Sequence, residues 1–136
     1  MTKCKLGGYI YKWDEKIGLG SHFITKDNGP EIFDANRSYP VTDESFRYSD
    51  PLSVIGHGTI KLDDEGVWAD IIIINTINSE PYAEVLLDPE KREKFKLGFM
   101  AMNKKMDKST GEITKGYLMA LDVSEHGIEK IEYVHN

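Results

Sequence analysis

The chain has 136 residues, of which 40% are hydrophobic and 29% are charged. This apolar content is enough for one packed core, so we predict a single domain over residues 1–136 and exclude a wholly disordered chain. The 17 Lys and Arg residues against 23 Asp and Glu residues give a net charge of −6, which disfavours nucleic acid and anionic membranes as partners.

The first strand is predicted near the N-terminus. Aromatic residues occupy every second position at Tyr9, Tyr11 and Trp13, which would place the three rings on one side of an extended segment. Cys4 is the only cysteine, so an intramolecular disulfide and a multi-thiolate metal site are both excluded. The longest apolar block, residues 71–74, is too short to span a bilayer, and we therefore expect no membrane partner.

Residues 14–53 form a long segment that is rich in Gly, Asn, Asp, Ser and Pro, and they predict an irregular region that could serve as an interaction loop. Three aromatic residues within it, Tyr39, Phe46 and Tyr48, are candidate protein-binding residues. Rigid rings of this kind often anchor a partner when a loop presents them at the surface.

The clearest local prediction is a β-hairpin over residues 54–74. Two segments rich in β-forming residues, 54–62 and 67–74, flank the acidic turn Asp63-Asp64-Glu65-Gly66. Glycine at the end of this turn can adopt a positive φ, which suits a tight connection.

A short helix or a helical pair is predicted over residues 80–94. Pro89 suits a first helical turn and Asp88 suits the capping position before it. A second hairpin is predicted from residues 95–102 and 113–123 with Gly111 in its loop, followed by a final short strand over residues 128–134. The sum is a mainly β or α+β fold, an antiparallel barrel-like domain with one or two short helices.

The order of these segments resembles the tailed-phage prohead protease family, the serine proteases of capsid maturation. The resemblance is carried by residues 49–56 (SDPLSVIG), 64–69 (DEGVWA) and 96–99 (KLGF), together with Gly8-Tyr9-Ile10 and residues 20–23 (GSHF). It covers roughly residues 8–123 and implies a prohead-protease-like fold.

The two positions that match the catalytic residues of that family have changed. The family's histidine falls on Ser49, and its nucleophilic serine falls on Lys96. A serine hydroxyl needs a base within hydrogen-bond reach, so the loss of both members should abolish the reaction. No catalytic residue is therefore assigned, and the sequence favours a non-enzyme.

The sequence contains three other possible catalytic or metal-binding sites. His57 could act as a displaced base, and Ser49 with a desolvated Lys96 could form a swapped dyad. A cation could bind the acidic turn, but the sequence contains no calcium-loop pattern, so we expect no metal. The chain also has no glycine-rich motif in a βαβ context, so we expect no cofactor.

The sequence therefore predicts a non-enzymatic phage or prophage virion protein, located in the virion or the host cytoplasm. It would serve as a capsid auxiliary, decoration or head-assembly factor on an inactive prohead-protease-like fold. Its partner would be the capsid or another head protein, in a symmetric assembly. The alternatives are a divergent capsid-assembly peptidase and a soluble protein-binding domain unrelated to virions.

Overall fold

The computed structural model describes residues 3–17, 21–43, 54–74 and 82–136. The strands in chain order are β1 (Lys3–Lys12), β2 (Ser38–Thr42), β3 (Val54–Leu62), β4 (Gly66–Ile74), β5 (Lys96–Met106), β6 (Ile113–Ser124), β7 (Glu129–Lys130) and β8 (Tyr133–His135). They form one eight-stranded sheet in the order β7-β5-β6-β2-β3-β4-β1-β8. Every neighbouring pair is antiparallel except β2 and β6, so the predicted mainly antiparallel β fold is confirmed.

The sheet curls until its two ends approach each other. The Glu132 backbone N–H donates a hydrogen bond of 2.8 Å to the Gly7 carbonyl, which joins the segment after β7 to β1. Leu97 of β5 packs so closely on β1 that a Cβ at Gly8 would lie 2.9 Å from its Cδ1 atom. The result is an incomplete barrel whose interior holds the hydrophobic core.

The core consists of aliphatic and aromatic side chains from most of the strands and from the first helix. Its largest fully buried members are Tyr11, Tyr39, Phe33, Leu6, Ile10, Ile24, Ile71, Ile73, Leu86, Leu97, Ile113 and Leu121. Three of the aromatic rings meet inside the barrel: Phe99 lies 5.8 Å from Tyr11 and 5.2 Å from Phe33 between ring centroids. Edge contacts of this kind favour one arrangement of the rings.

The first predicted hairpin is confirmed, because β3 and β4 pair antiparallel around the acidic turn. The Asp63 carboxylate organises the turn by accepting hydrogen bonds from the backbone N–H groups of Glu65 (2.8 Å) and Gly66 (3.0 Å). The prediction that Gly66 adopts a positive φ is wrong. A Cβ there would lie 2.1 Å from the Tyr11 carbonyl oxygen, so glycine allows β1 to approach.

The second predicted hairpin is also confirmed, with β5 paired antiparallel to β6. Gly111 has a φ of +85°, as its place in the loop requires. The Asp107 carbonyl closes the loop by accepting a 2.8 Å hydrogen bond from the Gly111 N–H. The predicted final strand over residues 128–134 is divided into β7 and β8, which flank opposite ends of the sheet.

The predicted helical pair consists of α1 (Tyr82–Leu87) and α2 (Pro89–Arg92). Asp88 caps α2 as expected, because its carboxylate accepts a 3.0 Å hydrogen bond from the Glu90 N–H. The helix α1 buries Ala83 and Leu86 against the sheet. In the part of the chain that the structure describes, neither helix has the length and apolarity needed to cross a membrane.

The prediction of an irregular region over residues 14–53 is wrong in part. The segment contains a 3₁₀ turn (Gly29–Glu31) and the strand β2 in the interior of the sheet. Pro40 masks this strand in the sequence, because proline lacks the N–H that a central strand donates. Pairing with β6 involves only Val41 and Thr42, so Pro40 lies beyond that ladder.

The predicted alignment of the β1 aromatics on one side is also wrong. A register shift between Tyr9 and Tyr11 marks a β-bulge at this point of β1. A bulge inserts one residue and changes which face the next side chains occupy. Tyr11 is fully buried, whereas Tyr9 is only partly buried and packs edge-on against Trp68 at 5.1 Å.

Candidate functional site

Lys96, at the position matched to the family's nucleophile, begins β5. Its Cα partners are Ser124 on β6 and Lys130 on β7, and its side chain is exposed. A lysine acts as a base only when burial disfavours its charged form. The exposed Lys96 lacks that burial, so its surroundings in the described residues do not support a catalytic role.

The other residue of the predicted dyad, Ser49, lies outside the described residues. Its proximity to Lys96 therefore stays a prediction. The candidate binding residues Phe46 and Tyr48 lie in the same segment, outside the described residues.

A serine, an aspartate and a histidine do meet at the end of β6, but the hydrogen bonds that join these three residues in the described part of the chain are not those of a catalytic triad. The Ser124 hydroxyl donates a 2.9 Å hydrogen bond to the Asp122 carboxylate. The group of His126 that donates to the Ser124 Oγ is its backbone N–H, at 3.0 Å. Both Ser124 and Asp122 are 2% exposed, and this arrangement stabilises the turn after β6 and commits the hydroxyl proton to the Asp122 carboxylate.

A cavity of about 240 Å³ opens beside this turn. Its lining residues are Asp43, Tyr82, Phe95, Ser124, Glu125 and His126. The Tyr82 hydroxyl donates a 2.6 Å hydrogen bond to Asp43, which links α1 to the end of β2. A wider cavity of about 680 Å³ continues along the helices and shares Tyr82 and Phe95 with the first. The lining of the two cavities combines aromatic rings with charged side chains, which suits the binding of a ligand.

His57, the candidate displaced base, is exposed on β3 opposite Ile72. It shares a cavity of about 290 Å³ with Asp70 and Tyr133. The Tyr133 hydroxyl donates to Asp70 at 3.0 Å and not to His57. No hydroxyl among the described residues forms a hydrogen bond with His57, so the structure supplies it with no nucleophile there.

The acidic turn, which was a possible cation site, takes part in other interactions. Of the turn residues, Asp63 is held by Tyr9, whose hydroxyl donates a 2.8 Å hydrogen bond to it. Burial alone would raise the pKa of Asp63, but this bond and those from the turn N–H groups lower it. No group of three or more His, Cys, Asp or Glu side chains in the described ranges is arranged to hold a metal ion.

Tyr39 was predicted as an exposed anchor, but it belongs to the core. It is 2% exposed, and its hydroxyl donates a 2.6 Å hydrogen bond to the Asp34 carbonyl. This burial also raises the pKa of the Tyr39 hydroxyl. The Arg37 guanidinium lies 5.0 Å from the ring centroid and covers it further. The ring is therefore not available on the surface as we expected.

Two groups of half-buried or exposed side chains were not predicted from the sequence as surface groups. One is a row of rings across β4, β1 and β8: Trp68 packs on Tyr9, and Tyr133 stacks on Trp68 at 6.4 Å and on His135 at 5.2 Å. The other lies on β6, where Tyr117 is 64% exposed and Met119 is 37% exposed. The alternation of Tyr117 and Met119 with buried Leu118 was the available signal.

No family model and no curated protein matches the chain. A solved structure of the varicella-zoster virus protease is similar with a TM-score of 0.44 and 13% sequence identity. The match covers 89% of this chain and 64% of that protease chain, so this chain spans less than two thirds of its length.

Proposed function

We propose that the chain is a non-enzymatic phage or prophage virion protein, a capsid auxiliary, decoration or head-assembly factor on a prohead-protease-like fold. The observation that carries this proposal is the exposed Lys96 at the position matched to the family's nucleophile. Ammonium is neither a nucleophile nor a base, so the strand that should present the reacting group presents a solvated charge.

The surroundings of Lys96 support the same reading. The serine opposite it, Ser124, is buried and hydrogen-bonded to a carboxylate. An acyl-transfer enzyme needs a nucleophile, a base and oxyanion donors in one geometry. The fold elements that the sequence shares with the family, the two hairpins and the helical pair between them, remain available for binding.

A peptidase assay tests the enzymatic half of the proposal. The purified protein is incubated with the capsid protein that this proposal makes its partner, and alone at high concentration, across a range of about pH 6 to 9 that spans histidine titration. We expect the intact masses of both proteins to stay unchanged. Specific cleavage that disappears in Ser49→Ala or Lys96→Met would instead establish the swapped dyad, and cleavage lost only in His57→Ala would establish the displaced base.

A binding assay tests the other half. The chain and that capsid protein are co-expressed, and assembled shells are separated from free subunits by sedimentation. We expect the chain to sediment with the shells, or to change the yield or size of the shells that form. A chain that stays at the top of the gradient and leaves assembly unchanged would support the third reading, a binding domain unrelated to virions.

A further inference from the structure

The distal part of the β5–β6 hairpin, residues 100–119, carries charge of the opposite sign to the rest of the chain. We call it the basic arm. It contains four lysines and two acidic residues, a net charge of +2, while the remaining residues sum to −8. A chain with this separation of charge has two surfaces that attract each other between copies.

The lysines of the basic arm are exposed and form no salt bridge with any residue that the structure describes. Lys105 lies directly opposite Lys115 in the β5–β6 ladder, and both are exposed. Like charges opposite each other destabilise a strand pair, so the fold gains nothing from this arrangement. Neither lysine forms a salt bridge within the described residues.

The two carboxylates of the basic arm accept hydrogen bonds from uncharged groups. Asp107 accepts hydrogen bonds from the Ser109 N–H at 2.9 Å and the Ser109 hydroxyl at 2.6 Å. Glu112 accepts from the Thr25 hydroxyl at 2.9 Å and from the Asn28 amide at 2.6 Å. Neither carboxylate forms a salt bridge with a lysine among the described residues, and the four lysines of the arm are exposed.

An apolar surface lies next to these lysines. Tyr117 follows Lys115 by two residues on β6 and is 64% exposed, and Met119 follows at 37% exposure. A large ring rimmed by cations is a composition typical of the centre of a protein interface, where tyrosine is enriched.

The complementary surface is the acidic turn between β3 and β4, formed by Asp63, Asp64 and Glu65. All three residues are exposed, and the side chain of Asp64 is 92% exposed. Lys26 pairs with Asp64, which leaves two of the three carboxylates without a lysine partner among the described residues.

The basic arm and the acidic turn flank the same loop, residues 21–28. On one side, Lys26 of this loop binds Asp64. On the other side, the Ile113 N–H donates a 2.8 Å hydrogen bond to the Phe23 carbonyl, and Glu112 is bound as described above. The positive and negative surfaces therefore both adjoin this loop.

From this juxtaposition we infer that the basic arm is the docking surface for the acidic turn of a second copy of the chain. A two-fold axis between the copies places each arm against the partner's turn, so both charge contacts form at once. Tyr117 and Met119 supply the apolar part of this self-complementary interface. The inference does not depend on the virion proposal, because it needs no protein other than this chain.

The experiment measures self-association of the full chain by sedimentation equilibrium at about 0.01 M and about 1 M salt, where the screening lengths are about 30 Å and about 3 Å. We expect a dimer at low salt that dissociates at high salt. The arm reversal Lys105→Glu with Lys115→Glu and the turn reversal Asp64→Lys with Glu65→Lys should each raise the dissociation constant at least about tenfold.

Mixing the two reversed variants gives the decisive result. Alone, each variant presents two surfaces of the same sign, but together they present complementary pairs, so the mixture should form a heterodimer. Tyr117→Ala should weaken the wild-type dimer at the low salt concentration, where the dimer forms.

The matched control reverses two exposed lysines outside the arm, Lys3→Glu with Lys91→Glu. It changes the net charge by the same amount and should leave association unchanged. Circular dichroism and thermal unfolding confirm that each variant is folded. A wild-type chain that stays monomeric at low salt, or two reversed variants that stay monomeric when mixed, overturns the inference.

Discussion

At the scale of single residues, burial decides the behaviour of several titratable groups. Cys4 is fully buried near the start of β1, and burial raises the pKa of its thiol to about 11. Glu129 is 9% exposed on β7, beside the carboxyl group of Glu15. Its desolvation, followed by its hydrogen bond with Glu15 and the charge of that group, raises the pKa of Glu129 to about 7.

This shift predicts how stability depends on pH. Because the folded-state pKa of Glu129 lies above its ordinary value of 4.5, protonation favours the folded state. The free energy of unfolding should be highest below about pH 4.5 and should fall as the pH rises through about 7, as far as this group determines it. Urea unfolding at a series of pH values measures the trend.

Glu129→Gln, which mimics the protonated carboxyl group, should flatten the fall between these pH values. Glu90→Gln on the exposed surface of α2 is the matched control and should leave the trend unchanged. A Glu129→Gln variant with the pH dependence of the wild type would show that another group is responsible.

At the scale of secondary-structure elements, one hydroxyl attaches the segment after β1 to the barrel. Tyr11 donates a 2.6 Å hydrogen bond to the Glu15 carbonyl and accepts a 2.9 Å hydrogen bond from the Ile24 N–H. Tyr11→Phe keeps the ring but leaves a buried N–H without a partner, so it should destabilise the fold by about 1–3 kcal/mol.

Chemical unfolding of Tyr11→Phe measures this loss. The control Tyr117→Phe removes a hydroxyl from an exposed ring and should change the free energy of unfolding by less than about 0.5 kcal/mol. Equal effects of the two substitutions would rule out the attaching role of Tyr11.

The elements that sequence alone predicted correctly are those formed by local contacts. The β3–β4 and β5–β6 hairpins and the Asp88 cap depend on residues close together in the chain, so turn residues and alternation identify them. The strand β2 was missed because Pro40 masks it in a polar segment and because its pairing with β6 joins residues far apart in sequence. The bulge that separates Tyr9 from Tyr11 likewise leaves no local signal.

The candidate site was less predictable than the fold. The sequence identified Lys96 but could not show that it is exposed, and it did not indicate that Ser124 lies opposite. Tyr39 was misjudged because a ring in a polar, proline-containing segment has the same local signature whether it is buried or exposed. The burial of a side chain depends on the whole curled sheet, so a short stretch of sequence does not reveal it.

At the scale of the whole molecule, closure of the sheet depends on the contact between β5 and β1. Leu97 is fully buried and packs where Gly8 leaves room for it. Leu97→Ala should leave a cavity at this junction and destabilise the fold by about 2–5 kcal/mol. Ile128→Ala, at a side chain that is 47% exposed, should cost much less.

Thermal or urea unfolding compares the two variants. If both lower the free energy of unfolding equally, the junction of β5 and β1 contributes no more than a surface contact. A selective loss in Leu97→Ala would identify this junction as the closure point of the incomplete barrel.

The place of β1 in the sheet also determines when the protein can finish folding during its synthesis. β1 lies between β4 and β8, and its residue Leu6 pairs with Val134. On the ribosome, β1 emerges early and can pair with β4, but its other edge stays open until residues 133–135 have been translated. Throughout that interval the nascent chain exposes unpaired backbone groups, which another strand or a chaperone could bind.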